Sequence, residues 1–425
     1  MKKKTLALLL ALSCALTATA CSSKKEDTDT AASTEAFAED SEKEETKETE
    51  TETEEVPDET ETATSTAADL PAPEMSDNLF DFQVAINGTV YQFPMWYSDF
   101  EASGWTYEGD TTQTLSSDQY TNSDSWKKDD LEVLTTFANL SMNSAPITEC
   151  MVAGISLDSN FLQGCDCQII LPGNIQYGVS TIDDIKAAYG EPSFESEGKY
   201  TCSLLYTLDS YQEVELNVSN QTNTLCKIEI TNFTELEGTD NSVDTSVPDV
   251  AANYAAPSSL GTDLYSLNVE LEGNLYTLPC PVSEFLANGF EINEENSDTE
   301  IAANSIGNVE LIYNDLVLSS LAYNFSDKAA TIENCFLTTI QTYYKGKTNF
   351  DITIPGDIKL GSSEDDVLKA IESFNYERED NVSGYTSFEV YHPDRSILDG
   401  YEIIVIDGVV TEIRVANSEN PAEEE

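Results

Sequence analysis

The feature that most constrains this chain is an internal duplication. FQVAINGTVYQFP (Phe82 to Pro94) aligns without a gap on LNVELEGNLYTLP (Leu267 to Pro279), 185 residues later. The register continues through DFEASGW (Asp99 to Trp105) over EFLANGF (Glu284 to Phe290). LPGNIQYGVSTIDDIKA (Leu171 to Ala187) then matches IPGDIKLGSSEDDVLKA (Ile354 to Ala370) at an offset of 183, and LCKIEITN (Leu225 to Asn232) matches VTEIRVAN (Val410 to Asn417) at 185 again. Solenoid repeats run to about 20–50 residues, so a period this long describes two copies of one domain. A chain of 425 residues has room for two such domains and an additional segment.

Each copy can be read locally. Alternating residues around an Asn-Gly or Glu-Gly pair predict a hairpin, ended by Pro94 or Pro279. A short helix follows, closed by Gly104 or Gly289, and the next aromatic, Trp105 or Phe290, reads as core. Pro172-Gly173 and Pro355-Gly356 suit a type II turn. Ser180 with Asp183, and Ser363 with Asp366, have capping-box spacing. Ile182, Ile185 and Tyr189, and in the second copy Val367, Leu368, Ile371 and Phe374, give each following helix one apolar stripe. Three alternating runs then predict an antiparallel meander, with Asp407-Gly408 as a two-residue hairpin turn.

The expected fold class is therefore α+β: two tandem homologous modules, each mainly antiparallel sheet with one or two short helices. The boundaries read as module 1 at 78–234, a solvated linker at 235–263, module 2 at 264–417, and a frayed tail at 418–425. GVSTIDDIKAAYGEP (Gly178 to Pro192), with the meander after it, resembles the small lipoproteins of the SmpA/OmlA (BamE-like) type and β-lactamase-inhibitor-protein-like modules. The second copy departs from the pattern, reading ESFNYE in place of the Gly-x-Pro stop. The resemblance implies a scaffold for protein contacts and no particular reaction.

The N-terminus reads separately. MKKKTLALLLALSCALTATACSS has a basic start, an apolar run too short to span a bilayer, and small residues before Cys21, which is the pattern of a signal peptide over 1–20. ATAC resembles a lipobox, the signature of bacterial lipoproteins, with Ala18 where Leu is commonest. The resemblance implies cleavage between Ala20 and Cys21 and a diacylglyceryl group on the Cys21 sulfur. No other cofactor is expected. Residues 21–77 are nearly all Thr, Glu, Ala, Ser, Asp and Lys, an expected disordered acidic tether with roughly 40 Å of mean reach. The formal charge of −59 would become −62 without the three lysines of the leader (17 basic against 79 acidic residues). Such a polyanion is repelled by phosphate backbones, which argues against nucleic acid as a partner. Membrane attachment is expected through the lipid, at the outer face of the cytoplasmic membrane or cell surface.

Catalytic signals are sparse. One histidine, His392, leaves no material for a His-dependent triad or a multi-histidine metal site. No phosphate-binding loop, dinucleotide fingerprint, nucleophile elbow or EF-hand spacing occurs. No metal ligand set can be named. A carboxylate pair has no local spacing rule, so an extracytoplasmic hydrolase remains the alternative reading, with an envelope assembly or inhibitor factor as another. Cys150 and Cys335 occupy the same repeat position and read as buried free thiols. Cys165 and Cys167, two apart, read as a possible disulfide, a redox pair or half of a metal site, and Cys202 and Cys226 as a possible bridge across one meander. The copies diverge most between Thr106 and Gly164 and between Glu291 and Lys347. Near the first of these lie Trp96, Tyr97 and Trp126, candidates for contact with a protein or glycan ligand, against the plainer reading of aromatics covering a small core. The expected function is non-catalytic binding or presentation at the envelope.

Overall fold

Hairpin, turn, helix and meander recur in both halves of the computed structural model, which describes residues 73–162, 165, 167–343, 350–381, 384–396 and 398–422. The signal segment, Ala20, Cys21 and the tether as far as residue 72 lie outside the described residues. The first hairpin pairs Gln83–Ile86 with Thr89–Gln92 through Asn87 and Gly88, both at positive φ, as the twist-matched two-residue turn requires. Its counterpart pairs Asn268–Leu271 with Asn274–Thr277. Short helices follow at Tyr97–Ala102 and Val282–Ala287.

The later helices are Ile182–Tyr189 and Glu364–Ile371. Ser363 and Asp366 form the expected reciprocal cap. In the first copy the cap is Thr181 with Asp184, one residue beyond the Ser180–Asp183 reading. Ser180 is held elsewhere: its hydroxyl accepts from the Gln176 N–H at 2.9 Å and its carbonyl from the Leu225 N–H at 2.8 Å, so the helix starts after it. The meanders are Thr201–Asp209, Gln212–Ser219 and Leu225–Asn232, and Tyr385–Val390, Gly400–Ile406 and Val409–Ala416. Each gains an exposed edge strand, Phe194–Glu197 or Tyr376–Asp380, whose carboxylates and Arg378 discourage edge-to-edge pairing.

The α+β expectation is corrected. Strand makes up 44% and helix 14%, so the architecture is mainly antiparallel β. Cap and stop signals mark where helices begin but do not report their length, and among the described residues the helices span at most eight residues. The segments that diverge in sequence supply much of the additional strand, and they form the same elements in both copies. Asp124–Lys128 and Leu131–Ala138 pair in module 1, as Ser305–Tyr313 and Leu316–Asn324 do in module 2. The difference lies in the next strand. Met151–Asp158 is unbroken and pairs with Leu131–Ala138 on one side and Leu225–Asn232 on the other, which fuses a nine-stranded sheet. Its counterpart is interrupted at Thr338, between Phe336–Leu337 and Thr339–Tyr343, and leaves two five-stranded sheets.

Two apolar cores result. One runs from Leu79 to Ile230 and includes Trp105 and Trp126; the other runs from Leu264 to Val415 and includes Phe290. They share no residue. The segment 235–263, expected as a plain solvated linker, carries a short strand, Val243–Asp244, that runs parallel to Ala329–Thr331 of the second module, and a helical turn at Asp249–Ala252.

Candidate functional site

The junction between modules is built from one turn that occurs twice. The Asn139 amide donates to the carbonyls of Leu115, Ser116 and Asn143 at 2.9, 3.1 and 2.8 Å, and its oxygen accepts from Ser141. Asn324 repeats this with Ile301, Ala302 and Lys328, and with Ser326. Asn and Ser at the first and third positions are shared while the other three differ, and the last of these sets Asn143 in module 1 against Lys328 in module 2. Asn143 is buried and donates to the carbonyls of Asp240 and Ser242 at 3.1 and 3.0 Å, while its oxygen accepts the Ala329 N–H at 2.8 Å. The Ser144 N–H donates to the Asp327 carbonyl at 3.0 Å, and the Ala303 N–H to that of Met142 at 2.8 Å. One side chain thus ties both modules and the linker together.

Beside this knot lies a recess of about 340 Å³, lined among others by Trp96, Ser98, Thr148, Glu149, Asp240 and Lys328. Trp96 reaches it because Met95–Trp96 pairs with the start of the long strand, Trp96 opposite Met151, at the junction end of the sheet. Asp240 is held below the usual carboxylate range by the Ser242 hydroxyl and N–H, with Lys328 adding to the effect. Cys150 also borders the recess, but burial pushes its thiol up to about 12 and Glu149 adds to that, so it is no nucleophile at neutral pH. The recess offers one indole, several hydroxyls and amides, and charges of both signs. It contains no nucleophile–base pair.

The structure separates the three aromatic candidates. Trp96 is half-buried in the recess. Tyr97 and Trp126 are core residues, their ring centroids 4.9 Å apart, and Trp126 donates its indole N–H to Thr135 at 3.0 Å. The expectation that Trp96 and Trp126 share a contact surface is therefore corrected. Strand alternation turns Trp126 inward, opposite Val133, whereas sequence alone did not show which face of that strand met the core.

The cysteine pairings are corrected as well. Cys202 and Cys226 lie on strands with Gln212–Ser219 between them, which puts them about 9–10 Å apart at the usual strand spacing, too far to bridge. Both are free thiols, as is Cys165; Cys167 is half-buried beside the module 1 core. Cys335 is buried and pushed up to about 12 like Cys150. Among the described residues no group of three or more His, Cys, Asp or Glu side chains is placed to hold a metal ion. His392 packs edge-on against Tyr265 at 4.8 Å.

Sequence reasoning missed a charged row on the outer sheet of module 2. Glu389 lies opposite Glu402, and Glu402 opposite Arg414, around a recess of about 150 Å³. Burial pushes the Glu402 carboxyl up, Glu389 and Glu412 add to this, and Arg414 opposes it. Alternation within SFEVY, YEIIV and TEIRV is the only sequence signal for such a row, and it needs the register of three strands before it becomes visible. The two carboxylates are neighbours on a sheet face with a cation beside them, and no deep cleft encloses them.

No family model, curated protein sequence or solved structure matches the chain.

Proposed function

We propose that this protein is a lipid-anchored, non-catalytic binding protein of the outer face of the cytoplasmic membrane, and that a glycan or polar peptide ligand enters the junction recess against Trp96. One observation carries the reading: a half-exposed indole borders a recess that also presents hydroxyl, amide and oppositely charged groups, beside Ala138, Leu140, Ala145, Cys150 and Met151. Such a surface can stack on the face of a sugar ring while satisfying its hydroxyls. Lipidation at Cys21 would fix the location, and the acidic segment would act as a tether that holds the modules clear of the headgroups.

The test uses the soluble chain from Asp77 onward on a glycan array and in pull-downs from intact envelopes. Trp96→Ala should lower binding at least about fivefold, since stacking contacts of this kind contribute on the order of 1–3 kcal/mol. Unchanged binding by that variant would remove the recess from consideration. Separately, Cys21→Ser in the full chain should shift the protein out of the membrane fraction; continued membrane association would exclude the anchor.

A further inference from the structure

The recess beside Trp96 has a counterpart in module 2, and there the chain itself occupies it. Ser144, Ala145 and Glu149 on its wall correspond to Ala329, Ala330 and Asn334, 185 residues later. In module 2 the linker runs over those three residues as an extended strand. Val243 lies opposite Ala329 and Asp244 opposite Ala330 in parallel register, and the Asn334 amide donates to the Thr245 carbonyl at 3.3 Å. Ala329–Thr331 is thereby the middle of three strands, whereas among the described residues its counterpart Ala145–Pro146 pairs only with Thr114–Leu115. Larger side chains also stand at this wall in module 2. Phe325 packs on Tyr323 at 4.3 Å and on Phe336 at 5.6 Å, where module 1 has Leu140, Ala138 and Met151.

The exchanges between the copies fix what the open groove of module 1 can accept. Pro146 stands for Thr331. The Ile332 N–H bonds to Thr299 on the far side, so strand alternation directs the Thr331 N–H toward the linker. Proline has no such donor, and recognition in module 1 shifts from the main chain to side chains. Glu149 stands for Asn334, so a carboxylate accepts where an amide donated, and the occupant must bring a donor. Asn143 stands for Lys328. In module 2 the Ser246 hydroxyl and N–H hold the Asp244 carboxyl below the usual range and Lys328 adds to that; at Asn143 no charge favours an acid. Lys328 also borders the recess, but Asp240 and Asp244 both feel its charge. Trp96 stands for Pro281 and adds a ring face on which a cation can stack.

We propose that the recess takes an extended peptide segment of another protein, neutral apart from one arginine or lysine held by the Trp96 indole and the Glu149 carboxylate; this rests on the recess being the ligand site. The linker strand of module 2 supplies the precedent for an extended peptide on this wall. Trp96 and Glu149 supply the demand for a cation, and the net charge of −59 draws a basic segment in. The same charge disfavours the acidic tether and a second copy of this chain as occupants.

The test measures binding of two end-capped fluorescent peptides to the full chain by anisotropy: the linker stretch SVDTSV (Ser242 to Val247) and the same peptide with arginine in place of its aspartate. Saturable binding of the arginine peptide is expected, at least about fivefold tighter than that of the aspartate peptide and weakened by added salt. Trp96→Ala should weaken it at least about fivefold. Glu149→Asn, which installs the module 2 residue at an exposed position, should narrow the difference between the peptides by weakening the arginine peptide alone. Unchanged near-ultraviolet circular dichroism would verify the fold of each variant. Equal binding of the two peptides, or an arginine peptide indifferent to Glu149→Asn, overturns the inference. Tighter binding of the aspartate peptide would give the recess to an acidic segment such as the tether, and dimerisation abolished by Trp96→Ala would give it to a second copy; either overturns it. A glycan bound through Trp96 while neither peptide binds overturns the inference and leaves the recess as the ligand site. Binding of every ligand unchanged in Trp96→Ala removes both.

Discussion

The side-chain amide of Asn417 donates to the carbonyl of Leu278 at 2.8 Å, joining the end of the last strand of module 2 to the end of its first hairpin. Asn232 makes the same bond to the Phe93 carbonyl at 2.9 Å in module 1. Both asparagines are buried, and each accepted carbonyl belongs to the residue before Pro94 or Pro279. The bond closes each module on itself, because it links elements 139 residues apart in sequence.

Replacing either asparagine by Leu leaves a buried carbonyl without its donor. Asn417→Leu and Asn232→Leu should each cost about 1–3 kcal/mol, and each should lower the urea midpoint without changing its slope. A loss below a few tenths of a kcal/mol would show that solvent reaches the carbonyl.

A contrast between copies gives a second test. The Tyr91 hydroxyl accepts from the Trp105 indole N–H at 3.0 Å and from Lys128 at 3.3 Å. At the corresponding positions module 2 has Phe290 and Tyr313, and among the described residues the buried Tyr276 hydroxyl has no partner at hydrogen-bonding geometry, Asn288 being the nearby polar side chain. Tyr91→Phe should therefore destabilise by about 1 kcal/mol or more, whereas Tyr276→Phe should be neutral or stabilising. Thermal melts of the two variants side by side decide the matter, and equal losses would contradict the difference in bonding.

Asn143 connects three segments that also meet through backbone bonds and through the Asn241 and Asn304 side chains. Asn143→Leu should uncouple the modules more than it unfolds either one, since the two cores share no residue. Calorimetry should show a single transition in the parent broadening or splitting into two in the variant. A uniform shift of one sharp transition would mean that the cores are coupled by other contacts.

The pH dependence of module 2 should carry the mark of Glu402. Its folded pKa is raised, chiefly by burial, so between the ordinary glutamate value of about 4.3 and the raised value the folded chain binds more protons than the unfolded one. That contribution to stability falls as pH rises through this window and stays unfavourable above it. Glu402→Gln should stabilise the protein at pH 7 and converge with the parent below about pH 4. Denaturation at a series of pH values measures this. A Gln variant that is less stable at pH 7 would show that Arg414 outweighs the neighbouring acids.

Much of the local structure was legible because its causes are local. Asn87-Gly88 and Asp407-Gly408 specify tight turns through residues that tolerate positive φ, and Ser363 with Asp366 specifies a helix start within four residues. The duplication declared two modules because a repeated pattern of hairpin, cap and meander must bury its apolar face twice. The Ser180 reading failed where a distant strand intervened: the bond from Leu225 displaced the cap to Thr181. What tertiary structure alone decided was pairing across long separations. It turned Trp126 inward and left Trp96 at the surface, interposed a strand between Cys202 and Cys226, and lined up Glu389, Glu402 and Arg414 on one face. Each outcome depends on the register between strands far apart in sequence, and a shift of a single residue would send every one of those side chains to the opposite face.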